Sequence, residues 1–173
     1  MTIQDIYVLG AARTPMGGLM GALSGVAAAD LGGAAIAAAL ARADSPAVDA
    51  LFMGCVLPAG QGQAPARQAG FAGGLGQGVP ATTLNKMCGS GMQAAIMGEE
   101  ALASGNVDML VIGGMESMTN APYLLTKHRG GARIGHDRIM DSMFLDGLED
   151  AYEPGRAMGS FAAVSEMILT IDV

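Results

Sequence analysis

Asn85-Lys86-Met87-Cys88-Gly89-Ser90-Gly91 is the stretch on which the reading of this chain turns. Ahead of it, Val79-Pro80-Ala81-Thr82-Thr83-Leu84 combines proline with two β-branched threonines and reads as a strand entering a tight turn. Behind it, Met92 to Ser104 is rich in helix formers and is stopped by Gly105-Asn106. Cys88 therefore falls at or just before a helix N-terminus, where unpaired N–H groups and the helix dipole favour the thiolate. Gly89 and Gly91 let backbone or substrate approach closely. Strand, sharp turn, nucleophile and helix follow the logic of a nucleophile elbow, with cysteine in place of serine. The residues alone leave a second reading open: a cysteine beside a helix of Ala, Met and Ile is also a common buried apolar residue.

The rest of the chain supplies a frame for such an elbow. Its 173 residues suit one domain, or one and a part. Half the chain (51%) is hydrophobic, but the building blocks are small: 27 Gly, no Trp and 4% aromatics. Such a core implies close packing between elements, as in layered α/β folds. The 14 Met read mostly as core fillers.

The net charge of −7 opposes general nucleic-acid binding. Lys127, Arg129, Arg133 and Arg138 nevertheless place four of the nine cations within twelve residues. That cluster reads either as a solvated surface or as an anion-facing or subunit-facing arm. The two cysteines, Cys55 and Cys88, have no framework spacing, the start lacks a signal-peptide pattern, and no apolar run is long enough to span a membrane. These features predict a reducing, cytoplasmic setting with free thiols.

In chain order, Ile6 to Leu9 is a strand candidate. Ala27 to Ala43 is a helix with Asp30 near its start, weakened by Gly32-Gly33 and ended by Asp44-Ser45-Pro46. Val48 to Leu57 is a strand, with Cys55 as core. Pro65 to Ala69 is a short helix with proline in its first turn, and Gly70 to Gly78 is a connection. Val107 to Ile112 is a nearly continuous apolar run of the kind covered on both faces of a sheet. Alternating strands and helices predict an α/β fold with helices on both sides of the sheet. The character changes after Asn120-Ala121-Pro122, which sets a boundary near Ala121. Beyond it, Arg129 to Arg133 reads as a hairpin turn and Phe161 to Leu169 as a weakly patterned helix.

Four motifs, taken together, resemble the thiolase family and its acetyl-CoA acetyltransferases. They are Ala12-Arg13-Thr14-Pro15 with Gly17, Gly62 to Ala69, Asn85 to Gly91, and Gly113-Gly114-Met115-Glu116-Ser117-Met118 running on to Tyr123. Asp146-Gly147-Leu148 and Met158-Gly159 continue the match, which covers roughly residues 4–161. Linked motifs in order are far more specific than one alone, and they favour a thiolase over a ketoacyl synthase-type condensing enzyme.

The resemblance implies a layered α-β-α thiolase-like N-terminal core over residues 1–121, incomplete because its last strand follows the loop domain in the family. It implies part of a loop and tetramerisation region over 122–161, and residues 162–173 depart from the family pattern. It implies acyl transfer through a cysteine thioester, either condensing two acetyl-CoA or cleaving a 3-ketoacyl-CoA with free CoA. Coenzyme A then serves as substrate and product, with no further cofactor and no metal. Cys88 matches the acyl-accepting nucleophile, whose backbone N–H also donates to the oxyanion. Leu148 and Met158 match positions lining the pantetheine channel, or are ordinary packing. Residues 123–145 match the arm of tetramer contacts, and Pro65 to Ala69 a dimer-interface helix, so a homo-oligomer is expected. His128 and His136 match no catalytic histidine and read as surface residues.

The family's second half carries the Asn-Glu-Ala, Gly-His-Pro and Cys-x-Gly-Gly-Gly motifs, and none occurs in these 173 residues. Cys55 does not match that second cysteine. The expectation is slow or absent acylation of Cys88 and no condensation by this chain alone. A thiolase-like half completed by a partner chain, or a degraded gene product, stand as alternatives.

Overall fold

The computed structural model describes residues 5–161. They divide after Asn120 into two compact units. The expected helix from Phe161 to Leu169 lies, beyond its first residue, outside the described residues, as does the tail from 162.

The first unit is a three-layered α/β structure. Strands β1 (Ala50–Gly54), β2 (Ala81–Leu84) and β3 (Leu110–Gly114) form a parallel sheet in the order β2-β1-β3. The register aligns Leu51 with Ala81 and with Val111. Helices α1 (Ala28–Arg42), α2 (Pro65–Ala72) and α3 (Ser90–Ala103) complete the unit. Strand alternation assigns the layers. Leu51 and Met53 face the α1–α2 layer, where Ala28, Ala29, Ile36, Ala66, Ala69, Cys55 and Met115 join them in the core. Leu110 and Ile112 face α3, their side chains lying against Gly98.

α1 forms because alanine costs least in a helix, and it ends where Asp44 and Ser45 turn to positive φ. Gly32-Gly33 does not act as a weakness. A Cβ on Gly32 would lie 2.8 Å from the Met115 sulfur, and one on Gly33 would lie 2.5 Å from the Ala72 Cβ, so the pair lets α1 lie directly on its neighbours. α2 opens with Pro65 at its first turn but runs through Gly70, Phe71 and Ala72, further than expected. Its Ala66 N–H is satisfied by Thr83 Oγ1 at 2.9 Å.

Other expectations need correction. Ile6 to Leu9 is not a strand: no edge pairs with it among the described residues, and Tyr7 and Val8 are 74% and 84% exposed. An apolar run becomes a strand only when a neighbour accepts its hydrogen bonds. The run from Val107 starts its strand only at Leu110, because Asp49 Oδ2 takes the Asp108 and Met109 N–H groups at 3.0 and 2.9 Å. Coverage on both faces is incomplete there, and Ile112 is exposed. The methionines are not mostly core either. Met53 and Met115 are buried, whereas Met16, Met20, Met87, Met92, Met118 and Met158 are exposed. A core closed by alanine and glycine leaves few gaps for a long side chain.

In the second unit, β4 (Tyr123–Leu124) and β5 (Met140–Asp141) pair antiparallel, followed by α4 (Ser142–Gly147). Residues 129–133 do not make a tight hairpin turn. They fall within the long excursion between β4 and β5, which contains a 3-10 turn at His128–Gly130 and a left-handed Gly131.

Candidate active site

Cys88 is a free, exposed cysteine, one residue ahead of Gly89, the N-cap of α3. The buried-apolar alternative therefore does not hold. The turn that carries it is tight and latched on both sides. Met87, just before the cysteine, has φ +49, a left-handed conformation that costs a non-glycine residue about 1–2 kcal/mol. Asn85 Oδ1 accepts the Met87 N–H at 2.8 Å. From the helix side, Ser90 Oγ accepts the Lys86 N–H at 2.8 Å and donates to the Met87 carbonyl at 2.6 Å. The Ser90 N–H also reaches that carbonyl at 3.0 Å, and the Gly89 N–H reaches Lys86 O at 3.1 Å. Ser90 is buried, so the two bonds its hydroxyl makes are partly shielded from water, and hydrogen bonds are stronger away from water.

The turn sits over the carboxyl ends of β1 and β3. A Cβ on Gly54 would lie 2.6 Å from the Ser90 Cβ, and one on Gly114 would lie 3.4 Å from the Gly91 Cα. Backbone-to-backbone approach is what seats the start of α3 on the sheet. Carboxyl ends of parallel strands are where α/β folds place their ligands.

Beside this turn lies a polar cluster that sequence reasoning missed. Glu116, immediately after β3, accepts the Val56 N–H on Oε2 at 2.7 Å and the Leu57 N–H on Oε1 at 3.2 Å. The Cys55 thiol is 3.6 Å from Oε1. Gln61 Nε2 donates to Leu57 O at 2.9 Å and lies 3.5 Å from the Cys55 sulfur. Cys55 is buried, as expected, but in a polar setting. Burial, and then the adjacent Glu116 charge, raise its thiol from 9.0 to about 11. It stays protonated at neutral pH, which makes it a poor nucleophile. The available signal was that Glu116 is the sole charge between Met109 and Asn120. A lone carboxylate closing an apolar strand asks for donors.

Leu148 and Met158 belong to the second unit, Cys88 to the first. The Met158 N–H donates to Leu148 O at 2.8 Å, so the two expected channel residues are neighbours. Leu148 is half-buried and Met158 exposed. Lys127, Arg129, Arg133 and Arg138 are exposed. His128 and His136 are surface residues, and His128 Nδ1 lies 3.0 Å from the Asp137 carboxylate.

A cavity of the first unit lies elsewhere. It is an apolar groove of about 540 Å³ bounded by the extended segment Ile6 to Thr14, α1, β3 and α3, and Cys88 does not line it. β3 pairs only with β1 among the described residues. Met109 O and the Met115 N–H bond toward β1. By alternation, the N–H and C=O groups of Leu110, Ile112 and Gly114 point to the open edge. Among the described residues no group of three or more His, Cys, Asp or Glu is arranged to hold a metal, and no helix is long and apolar enough to cross a membrane.

Residues 6–167 match the family model described as thiolase, N-terminal domain. The chain belongs to the thiolase family. Curated relatives agree. An acetyl-CoA acetyltransferase of Saccharomyces pastorianus is 47% identical over 163 residues, covering 92% of this chain and 41% of the relative. Acetyl-CoA acetyltransferase 2 of Arabidopsis thaliana is 48% identical over 161 residues, covering 92% and 40%. An acetyl-CoA acetyltransferase of Pseudomonas aeruginosa is 45% identical over 152 residues, covering 87% and 39%. This thiolase-family chain thus spans about two fifths of the length of the curated relatives it matches.

Proposed function

We propose that this chain is the nucleophile-bearing part of an acetyl-CoA acetyltransferase, with Cys88 as the acyl acceptor. The observation that carries the reading is a free, exposed cysteine on a latched turn, one residue before the N-cap of a helix seated on the ends of a parallel sheet. In this reading the Cys88 thiolate attacks the thioester carbon of acetyl-CoA and the Cys88 backbone N–H donates to the oxyanion. The carbon–sulfur bond to coenzyme A then breaks, and CoA leaves with the proton the thiol gave up. Leu148 and Met158 contact the pantetheine arm, and the setting is cytoplasmic fatty-acid metabolism in a homo-oligomer. Condensation needs a second deprotonation, at the acetyl α-carbon. Both histidines belong to the second unit, so the unit with Cys88 contains none to serve as base. The test is incubation with acetyl-CoA and mass analysis of the cysteine peptides. Cys88 gains an acetyl group slowly or not at all, Cys55 gains none, and no acetoacetyl-CoA appears. Acetylation of Cys55 in place of Cys88, or sustained acetoacetyl-CoA formation, overturns the reading.

The groove beside β3 favours a second reading, a half completed by another polypeptide. An open strand edge between two helical layers, faced by exposed Tyr7, Val8 and Leu9, suits β-strand addition. In this reading the partner carries the histidine and second-cysteine motifs. Mixing the two chains restores condensation; a mixture as inactive as either chain overturns it.

A further inference from the structure

Glu116 is an unusual residue to find where it is. It closes an apolar strand, is only partly exposed, and the ion pairs of the described residues, His128–Asp137 and Arg156–Glu153, do not include it. Its carboxylate spends itself on two consecutive backbone N–H groups, those of Val56 and Leu57, at 2.7 and 3.2 Å. Hydrogen bonds to a carboxylate are short and strong, and two on adjacent amides fix the orientation of the peptide between them.

That peptide does more than close a loop. Its Val56 carbonyl accepts the Asn85 Nδ2–H at 3.2 Å. The other end of the same Asn85 amide, Oδ1, accepts the Met87 N–H at 2.8 Å. The bonds therefore run in series from Glu116 through the Val56 peptide and Asn85 to Met87, the left-handed residue that aims Cys88. Strand ladders anchor both ends, since the Met115 N–H bonds Gly54 O at 2.9 Å and the Cys55 N–H bonds Leu84 O at 3.0 Å. Asn85 fits the middle position because one amide offers a donor and an acceptor on opposite corners. An aspartate there has no donor for Val56, and a serine is too short to reach both.

We propose that Glu116 and Asn85 are positioning residues for Cys88, acting through the Val56 peptide to hold the Met87 turn in the conformation that presents the thiol at the start of α3. The proposal rests on reading Cys88 as the acyl acceptor. Neither side chain touches the reacting atoms; each acts through backbone.

Alkylation by iodoacetamide, followed peptide by peptide in the full chain, tests both readings separately. The wild-type Cys88 reacts faster at neutral pH than Cys88 in the urea-unfolded chain, and buried Cys55 stays protected and reports an intact fold. N85A and E116Q each slow Cys88 roughly fivefold, the loss of about one hydrogen bond, with Cys55 still protected. A series of bonds also requires that the double variant be no slower than the slower single one, because breaking the series once uncouples the turn. Unchanged rates in the single variants, or effects that multiply in the double one, overturn the positioning role while leaving the acyl-acceptor reading intact. A wild-type Cys88 no faster than the unfolded chain overturns both.

Discussion

Gly54 and Ser90 meet without a side chain between them: a Cβ on Gly54 would stand 2.6 Å from the Ser90 Cβ and 2.7 Å from its carbonyl carbon. The last residue of β1 and the first of α3 are in backbone contact, and the cysteine turn is built on that contact. Gly54→Ala forces the start of α3 off the sheet. It lowers stability by about 1–3 kcal/mol, as overpacking of a tight core does, and thermal unfolding reads this as a lowered Tm. An unshifted Tm would show that the contact yields freely.

Ser90 tests the same turn from its polar side. Its hydroxyl accepts from the Lys86 N–H and donates to Met87 O, and the residue is 4% exposed. Ser90→Ala leaves the Lys86 N–H without its side-chain acceptor and the Met87 carbonyl without the hydroxyl, at a cost of about 0.5–1.5 kcal/mol. Chemical denaturation measures the loss. A midpoint equal to wild type would mean that water replaces the hydroxyl.

Cys55 sets an alkaline limit. Its thiol is held up from 9.0 to about 11 in the folded chain by burial and by Glu116. A raised folded value contributes stability that is complete below pH 9, the unfolded value, and is lost as pH rises toward 11. Wild type therefore loses stability across that window relative to Cys55→Ala, in which no thiol titrates. Paired melting curves at several pH values give the difference, and parallel curves would contradict it.

Asp49 sets the acid counterpart. Its carboxylate accepts the Asp108 and Met109 N–H groups, which lower its pKa below 3.8. A depressed folded value contributes stability that is present above pH 3.8 and is lost as pH falls through the lower, folded value. Asp49→Asn removes that acid dependence while keeping an oxygen for the two amides. Acid titration of the unfolding transition checks it: the variant's curve lies flatter below pH 3.8 than that of wild type.

The open edge of β3 makes a prediction about assembly. Val8 is 84% exposed and lines the groove. Val8→Lys changes the stability of the isolated chain by less than about 0.5 kcal/mol, as surface substitutions do. In the mixture with a completing polypeptide it weakens association, because a charge in the slot must be desolvated when a strand enters. Equal titration curves for wild type and variant would place the docking surface elsewhere.

Much of this was legible along the chain because its causes are local. The alanine run of α1, the threonines of β2 and the glycine-flanked Cys88 are read from propensity and turn chemistry within a few residues. The family, too, was legible, since its motifs are short and ordered. Tertiary structure alone decided the rest. Whether Ile6 to Leu9 is a strand depends on whether its backbone pairs with a neighbour's edge, which no local pattern encodes. Whether Gly32-Gly33 weakens a helix or seats it depends on Met115 and Ala72, dozens of residues away. The link from Glu116 to Met87 joins positions from three strand ends, each unremarkable in its own segment. Cys88 announced itself by its flanking residues; the groups that hold it in place were visible only once the sheet had brought those ends together.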